Sequence, residues 1–185
     1  MKFTSTDIPG LLIIEPVVFK DDRGYFLECY NEQKFSEGGI HNTCWVQDNE
    51  SKSSKGVIRG MHYQLEPYAQ AKLVRVISGK VFDVAVDIRK GSPTFGKWFG
   101  VELSCENKKQ FYIPRGFAHG FSVLSDTATF IYKCDNFYTP SAERGFNPFD
   151  SSLDIPWGID KSQALLSQRD SSLPLMKDAE MNFSL

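Results

Sequence analysis

Polar and apolar positions alternate through much of the middle of the chain. In "VFDVAVDI", residues 81–88, Phe82, Val84, Val86 and Ile88 fall on one face and Asp83, Ala85 and Asp87 on the other. "ATFIYKC" likewise sorts Ala128, Phe130, Tyr132 and Cys134 against Thr129, Ile131 and Lys133. Ser78-Gly79 and "RKGSPTFG" are turn signals, so "KLVRVISGKVFDVAVDIRKGSPTFGKWFGVEL" holds two or three strands. Within it "KLVRVI" has no clean face: Lys72 and Arg75 point opposite ways and both faces carry apolar residues. Helix signals are sparse. The best are "NEQKFSEGG", which Gly38-Gly39 would stop, and the tail segment "DKSQALLSQRD". Short strands punctuated by Gly and Pro predict an all-β fold, a sandwich or barrel with a few short helices. No repeat, linker or charge run divides the chain, so residues 1–185 are expected to form one domain.

Composition narrows the partners. The 185 residues carry a net charge of -2, which argues against bulk attraction to nucleic acid or an anionic membrane but permits a local cationic pocket. The opening segment is interrupted by Pro9, Glu15 and Pro16, so it is expected to be no signal peptide, and no apolar run approaches the roughly 20 residues of a membrane span. Cys29, Cys44, Cys105 and Cys134 lie far apart without a CxxC pair. They are expected to be free thiols, mostly in the core, of a cytoplasmic protein.

Two stretches carry candidate chemistry. "VIRGMHYQ" reads as a buried strand, yet it contains Arg59 and His62, and charged groups are costly to bury without partners. "YIPRGFAHGFSVL" contains Pro114-x-Gly116-x-x-His119. This PxGxxH resembles the second half of the cupin pattern, which implies a small jelly-roll barrel. The first half of that pattern usually supplies HxH and a glutamate for a metal. Here it reads His62-Tyr63-Gln64, and an amide is a poor replacement for an imidazole ligand. The remaining histidine, His41, reads as a surface residue. No metal and no cofactor are therefore expected, and His62 is left free for acid–base work.

The resemblance narrows further. "DDRGYFLECYN", "QDNESKSSKGVIRGMHYQ", "AQAKLVRVISGKVFDVAVDIRKGSPTFGKW", "IPRGFAHGFSVLSDTATFIYKC" and "YTPSAERGF", in this order from about Arg23 to Asp170, are similar to the dTDP-4-dehydrorhamnose 3,5-epimerase family. That resemblance implies a metal-free inversion of carbons 3 and 5 of dTDP-4-dehydro-6-deoxyglucose by a jelly-roll homodimer. Such chemistry needs a base, a cation or donor for an enolate oxygen, and an acid on the opposite face of the ring. The resemblance assigns His62 as base with Asp170 behind it, Tyr132 as acid, and Lys72 beside the ketone. By alternation alone Tyr132 is also a core tyrosine, Lys72 also a side chain reaching for solvent, and His119 also a structural histidine. For the nucleotide, the resemblance implies Arg23, Arg59 and Arg169 at the diphosphate. It adds Gln47, Asp48 and Asn49 as a polar loop, Glu28, His119 and Glu143 as further substrate contacts, and Tyr138 against the thymine. An epimerase at one carbon, a ketoisomerase on the same nucleotide sugar, a non-catalytic sugar-binding cupin and a metal-dependent oxygenase are the competing readings.

Overall fold

The computed structural model describes residues 1–41 and 44–185. Its strands are β1 (Lys2–Ser5), β2 (Leu12–Glu15), β3 (Val18–Asp21) and β4 (Gly24–Leu27), followed by the helix α1 (Glu32–Glu37). Then come β5 (Gln47–Ser54), β6 (Ile58–Gln64), β7 (Lys72–Ser78), β8 (Lys80–Asp87), β9 (Trp98–Ser104) and β10 (Gln110–Ile113). The series closes with β11 (Phe117–Val123), β12 (Thr127–Cys134), β13 (Glu143–Gly145) and a one-turn helix α2 (Gln168–Ser171). Two antiparallel sheets face each other, ordered β1-β2-β10-β7-β12-β5 and β13-β6-β11-β8-β9, with β3-β4 as a separate hairpin. This is the jelly roll that the sequence predicts.

Three apolar layers hold it together. Between the sheets lie Val74, Val76, Ala85, Leu103, Phe111, Phe121 and Phe130, contributed by both. The outer face of the five-stranded sheet, with Val84, Val86 and Ile88, is covered by Phe146, Leu153, Trp157, Met176 and Phe183 from the C-terminal third. On the outer face of the six-stranded sheet, Phe35 of α1 packs with Ile14 and Leu73. The alternation in "VFDVAVDI" thus sorts the faces correctly, but the apolar face packs under the tail and the acidic face points inward. Asp83 and Asp87 are both fully buried.

The tail is seated by apolar burial and by hydrogen bonds. Burying one large apolar side chain contributes roughly 1.5–3 kcal/mol, and Phe146, Trp157 and Phe183 are all buried. Hydrogen bonds add to this: the Tyr63 hydroxyl donates to the Glu180 carbonyl at 2.6 Å, and Glu66 and Asn182 exchange two bonds of 3.0 Å. The tail is not the continuous helix expected of "DKSQALLSQRD". Leu165 bridges to Val57 in parallel, accepting from Ile58 N and donating to Gly56 O, so the segment is held extended. Helix resumes only at α2, where the Ser167 hydroxyl caps Asp170 N at 3.0 Å.

One smaller expectation resolves differently. The cysteines are free, but only Cys134 is in the core. Cys29 and Cys105 are half-buried beyond strand ends and Cys44 is exposed in a loop. His41 is exposed, as expected. No helix among the described residues is long and apolar enough to cross a membrane.

Asp87 closes the β8–β9 turn. Its carboxylate accepts from Arg89 N and Nε, from Arg89 Nη2, and from the Ser92 and Thr94 hydroxyls, at 2.6–3.0 Å. Burial pushes this carboxyl up, but those donors outweigh it and hold it down at about 2. Its folded value lies below the unfolded one, so its contribution is present above about pH 4 and is lost as the pH falls towards 2. Urea unfolding is therefore expected to show Asp87→Asn less stable than the parent at pH 7, with about 2 kcal/mol of that gap closing between pH 4 and 2.

Candidate active site

A cleft opens between the two sheets at one end of the roll. Its main chamber, about 470 Å³, is bordered by Arg59 and His62 of β6, Lys72 of β7, His119 of β11, Tyr132 of β12 and the α2 segment with Arg169 and Asp170. A side lobe of about 280 Å³ continues from it past Gln47, Asn49, Tyr138 and Glu143, and His62, Lys72 and Tyr132 border both. Strand geometry brings these side chains together. His62 and His119 are direct cross-strand partners, and Tyr132 lies two residues from Cys134, the register partner of Lys72. The backbones of β6 and β11 meet closely at Gly60. Its φ is +131°, and a Cβ there would stand 2.5 Å from Gly120 Cα.

His62 is paired with Asp170 from the tail, Nε2 to Oδ1 at 2.7 Å. Burial pushes the Asp170 carboxyl up, but the bond and charge of His62, with the Gly60 amide and the Ser167 hydroxyl, more than offset it. Asp170 therefore stays below the usual carboxylate range and is an acceptor. In the neutral imidazole the proton of this contact sits on His62 Nε2, which leaves the lone pair on Nδ1. Nδ1 has no hydrogen-bond partner among the described residues.

Behind them lies a second histidine–aspartate pair. His119 Nε2 is 3.0 Å from both oxygens of Asp83, and both residues are buried. Burial pushes Asp83 up and His119 down, against their mutual attraction. Lys72 sits on the facing sheet, its Nζ 5.9 Å from the centre of the Tyr132 ring, with no ion pair among the described residues. Burial pushes the ammonium down, while Cys134, Glu143 and Asp83 pull it back up. Burial also raises the Tyr132 phenol, which therefore keeps its proton at neutral pH. The hydroxyl has no hydrogen-bond partner among the described residues. The floor is apolar: the Phe121 and Phe130 rings stack at 4.2 Å.

The outer rim is polar and cationic. Arg59 donates from Nε to Ser53 Oγ at 3.1 Å and makes no other hydrogen bond or ion pair among the described residues. Arg169 Nη1 binds Glu143 at 2.6 Å, and the Tyr138 hydroxyl donates to the same carboxylate. Burial pushes Glu143 up, but Arg169 and Tyr138 hold it below its ordinary range.

Of the residues anticipated from sequence, His62, Lys72, Tyr132, Asp170, His119, Arg59, Arg169, Gln47, Asn49, Tyr138 and Glu143 border this one cleft. Three do not. Asp48 points to the opposite face of β5 from Gln47 and Asn49 and pairs with Lys133 at 2.8 Å, as strand alternation requires. Arg23 sits on the β3–β4 hairpin, paired with Asp21, and Glu28 just beyond it binds Lys34. Neither borders the cleft of its own chain. Sequence reasoning missed Ser51, Ser167 and Asp83. Ser51 was reachable as the next inward position after Gln47 and Asn49. Asp83 gave no local signal, because only the fold shows that its face is interior. No three His, Cys, Asp or Glu side chains among the described residues are grouped to hold a metal. Gln64, at the cupin ligand position, is instead bonded to backbone groups.

Comparison with known proteins agrees with this geometry. A sequence profile of the dTDP-4-dehydrorhamnose 3,5-epimerase family matches residues 5–178. A dTDP-4-dehydrorhamnose 3,5-epimerase of Shigella flexneri is 56% identical over 180 residues, covering 97% of this chain and 98% of the relative. A crystal structure of the Legionella pneumophila dTDP-6-deoxy-D-glucose-3,5-epimerase in complex with dTDP-4-keto-L-rhamnose superposes with a TM-score of 0.92 at 48% identity, covering 96% of this chain and 93% of that one. The 3'-monoepimerase ChmJ of Streptomyces bikiniensis, in complex with dTDP-quinovose, superposes with a TM-score of 0.87 at 37% identity, covering 93% and 86%. The chain belongs to the dTDP-4-dehydrorhamnose 3,5-epimerase family.

Proposed function

We propose that this protein inverts carbons 3 and 5 of dTDP-4-dehydro-6-deoxy-D-glucose to give dTDP-4-dehydro-L-rhamnose. The observation that carries the reading is a histidine on one sheet, paired with a carboxylate from the tail, facing a protonated tyrosine on the other sheet, with a lysine beside that tyrosine. Both inverted carbons flank the C4 ketone. His62 Nδ1 removes the proton from one of them, and the C–H electron pair moves into an enolate whose oxygen Lys72 stabilises. Tyr132 then delivers a proton to the opposite face of the same carbon. Asp170 holds the His62 tautomer and stabilises the imidazolium while it exists. The tyrosinate is reprotonated, His62 gives up its proton, and the cycle repeats at the second carbon. Base and acid must be separate groups, because one group acting alone would restore the starting configuration.

Arg59 and Arg169 at the rim suit a diphosphate, and the lobe beside Tyr138 suits a flat base. We assign the nucleotide to that end and His119 to the wall of the sugar chamber, in one jelly-roll domain. A homodimer accounts for the three exposed aromatic side chains of the β3–β4 hairpin. Phe19 and Phe26 are 61% and 68% exposed, with Tyr25 beside them, which favours burial against a second copy. The same hairpin bears Arg23, and Glu28 follows it, so a partner's hairpin is the route by which these two reach a cleft.

Incubation with the substrate in heavy water, followed by NMR, tests the reading. One deuterium is expected at each of carbons 3 and 5. Deuterium at carbon 3 alone makes the protein a single-carbon epimerase, and none at either removes the proposal. His62→Ala is expected to lose exchange at both carbons by about 10²–10⁴-fold. Asp170→Asn should be impaired in the same step but less completely. Tyr132→Phe should keep exchange while net epimerisation, followed through a coupled reductase, falls steeply. Equal losses in both measurements would show that Tyr132 is not a dedicated acid.

A further inference from the structure

Gln64 stands where metal-binding cupins place a histidine, and the proposed chemistry makes no use of it. The residue is only 4% exposed. Its Nε2 donates to the carbonyls of Tyr68 at 2.6 Å and Phe137 at 3.2 Å, and its Oε1 accepts from Thr139 N at 2.6 Å. One amide thus ties the loop after β6 to the loop after β12 and grips the backbone on both sides of Tyr138. Tyr138 is held at two more points, its N–H by Gln47 Oε1 at 2.9 Å and its hydroxyl by Glu143, the register partner of Gln64.

The ring so held is 50% exposed at the edge of the side lobe. An exposed aromatic side chain whose hydroxyl is held at one point and whose local backbone is held at three receives a flat ligand with little further loss of freedom. Only an amide fits the clamp. It needs two donors and one acceptor on one short side chain. A neutral imidazole has one of each, and a carboxylate has no donor.

We propose that Gln64 is a positioning residue for the nucleotide end of the substrate: its amide fixes residues 137–139 so that the Tyr138 ring is in place before the base arrives. This rests on the proposed function in taking the occupant of the lobe to be dTDP. The test compares the parent full-length chain with Gln64→Met, Tyr138→Ala and the double variant, by calorimetric titration with dTDP and by steady-state kinetics. Gln64→Met is expected to weaken dTDP binding on the order of tenfold and to raise KM to match, with kcat changed by less than about threefold. Added to Tyr138→Ala, it should cost little more, since both act through one ring. Gln64→Glu keeps the bond from Thr139 but sets a carboxylate against two carbonyls. It should show the same loss, and it carries the test if Gln64→Met does not fold.

A folded variant that binds dTDP within twofold of the parent overturns the proposal. So does a fall in kcat with KM unchanged, or losses at Gln64 and Tyr138 that multiply in full. If neither variant folds, Gln64 is a structural residue and the proposal fails. A parent chain that neither binds dTDP nor exchanges deuterium removes the proposed function, and the clamp with it.

Discussion

The bond between His62 and Asp170 is the contact on which the cleft depends. It joins residues 108 positions apart, one on an inner strand and one in the tail. A buried carboxylate costs several kcal/mol in lost hydration unless it is well bonded. Asp170 has two compensations from β6: the imidazole of His62 and the Gly60 amide. Neither forms unless the tail is docked, and the docking comes from the apolar layer under Phe146, Trp157 and Phe183. The outer core of the five-stranded sheet therefore positions the imidazole of His62 inside the roll.

The same economy separates this site from that of a metal-binding cupin. With His62 engaged by Asp170, His119 by Asp83, and Gln64 by three backbone groups, the side chains at the ligand positions are already committed. What is left at the cleft is a free lone pair on His62, a protonated phenol and an ammonium drawn away from its usual range by burial. That set suits moving a proton across a ring next to a ketone. The outer rim is built differently, from charged and polar groups locked to one another through Glu143. Arg169 and Asp170 are adjacent in α2, so the two ends share one turn of helix.

Much of this was legible in the sequence. Alternation in residues 81–88 and 128–134 gave the strands and their faces, and the order of polar motifs pointed to the residues of one cleft. What was not legible depends on which face meets what. Asp83 reads like Asp87 in the alternation, yet one meets a histidine in the interior and the other a turn. Asp48 lies between two inward residues, and a contiguous motif conceals that strands alternate. Arg23 and Glu28 fit the family pattern, but Arg23 sits on an exposed hairpin and Glu28 just beyond it, where no reading of a single chain can bring them to its own cleft. The tail helix failed because "QALLSQ" has helical composition, while the backbone of Leu165 is used for bridging to β6.

The central claim is that His62 is the base through Nδ1, with its other nitrogen held by Asp170. Nitrogen-15 NMR of the histidine side chains in the uncomplexed protein tests this directly. At neutral pH the account predicts for His62 the neutral tautomer with the proton on Nε2 and the lone pair on Nδ1, and in Asp170→Asn a loss of that preference. A neutral His62 with its proton on Nδ1, or a tautomer indifferent to Asp170→Asn, would contradict it.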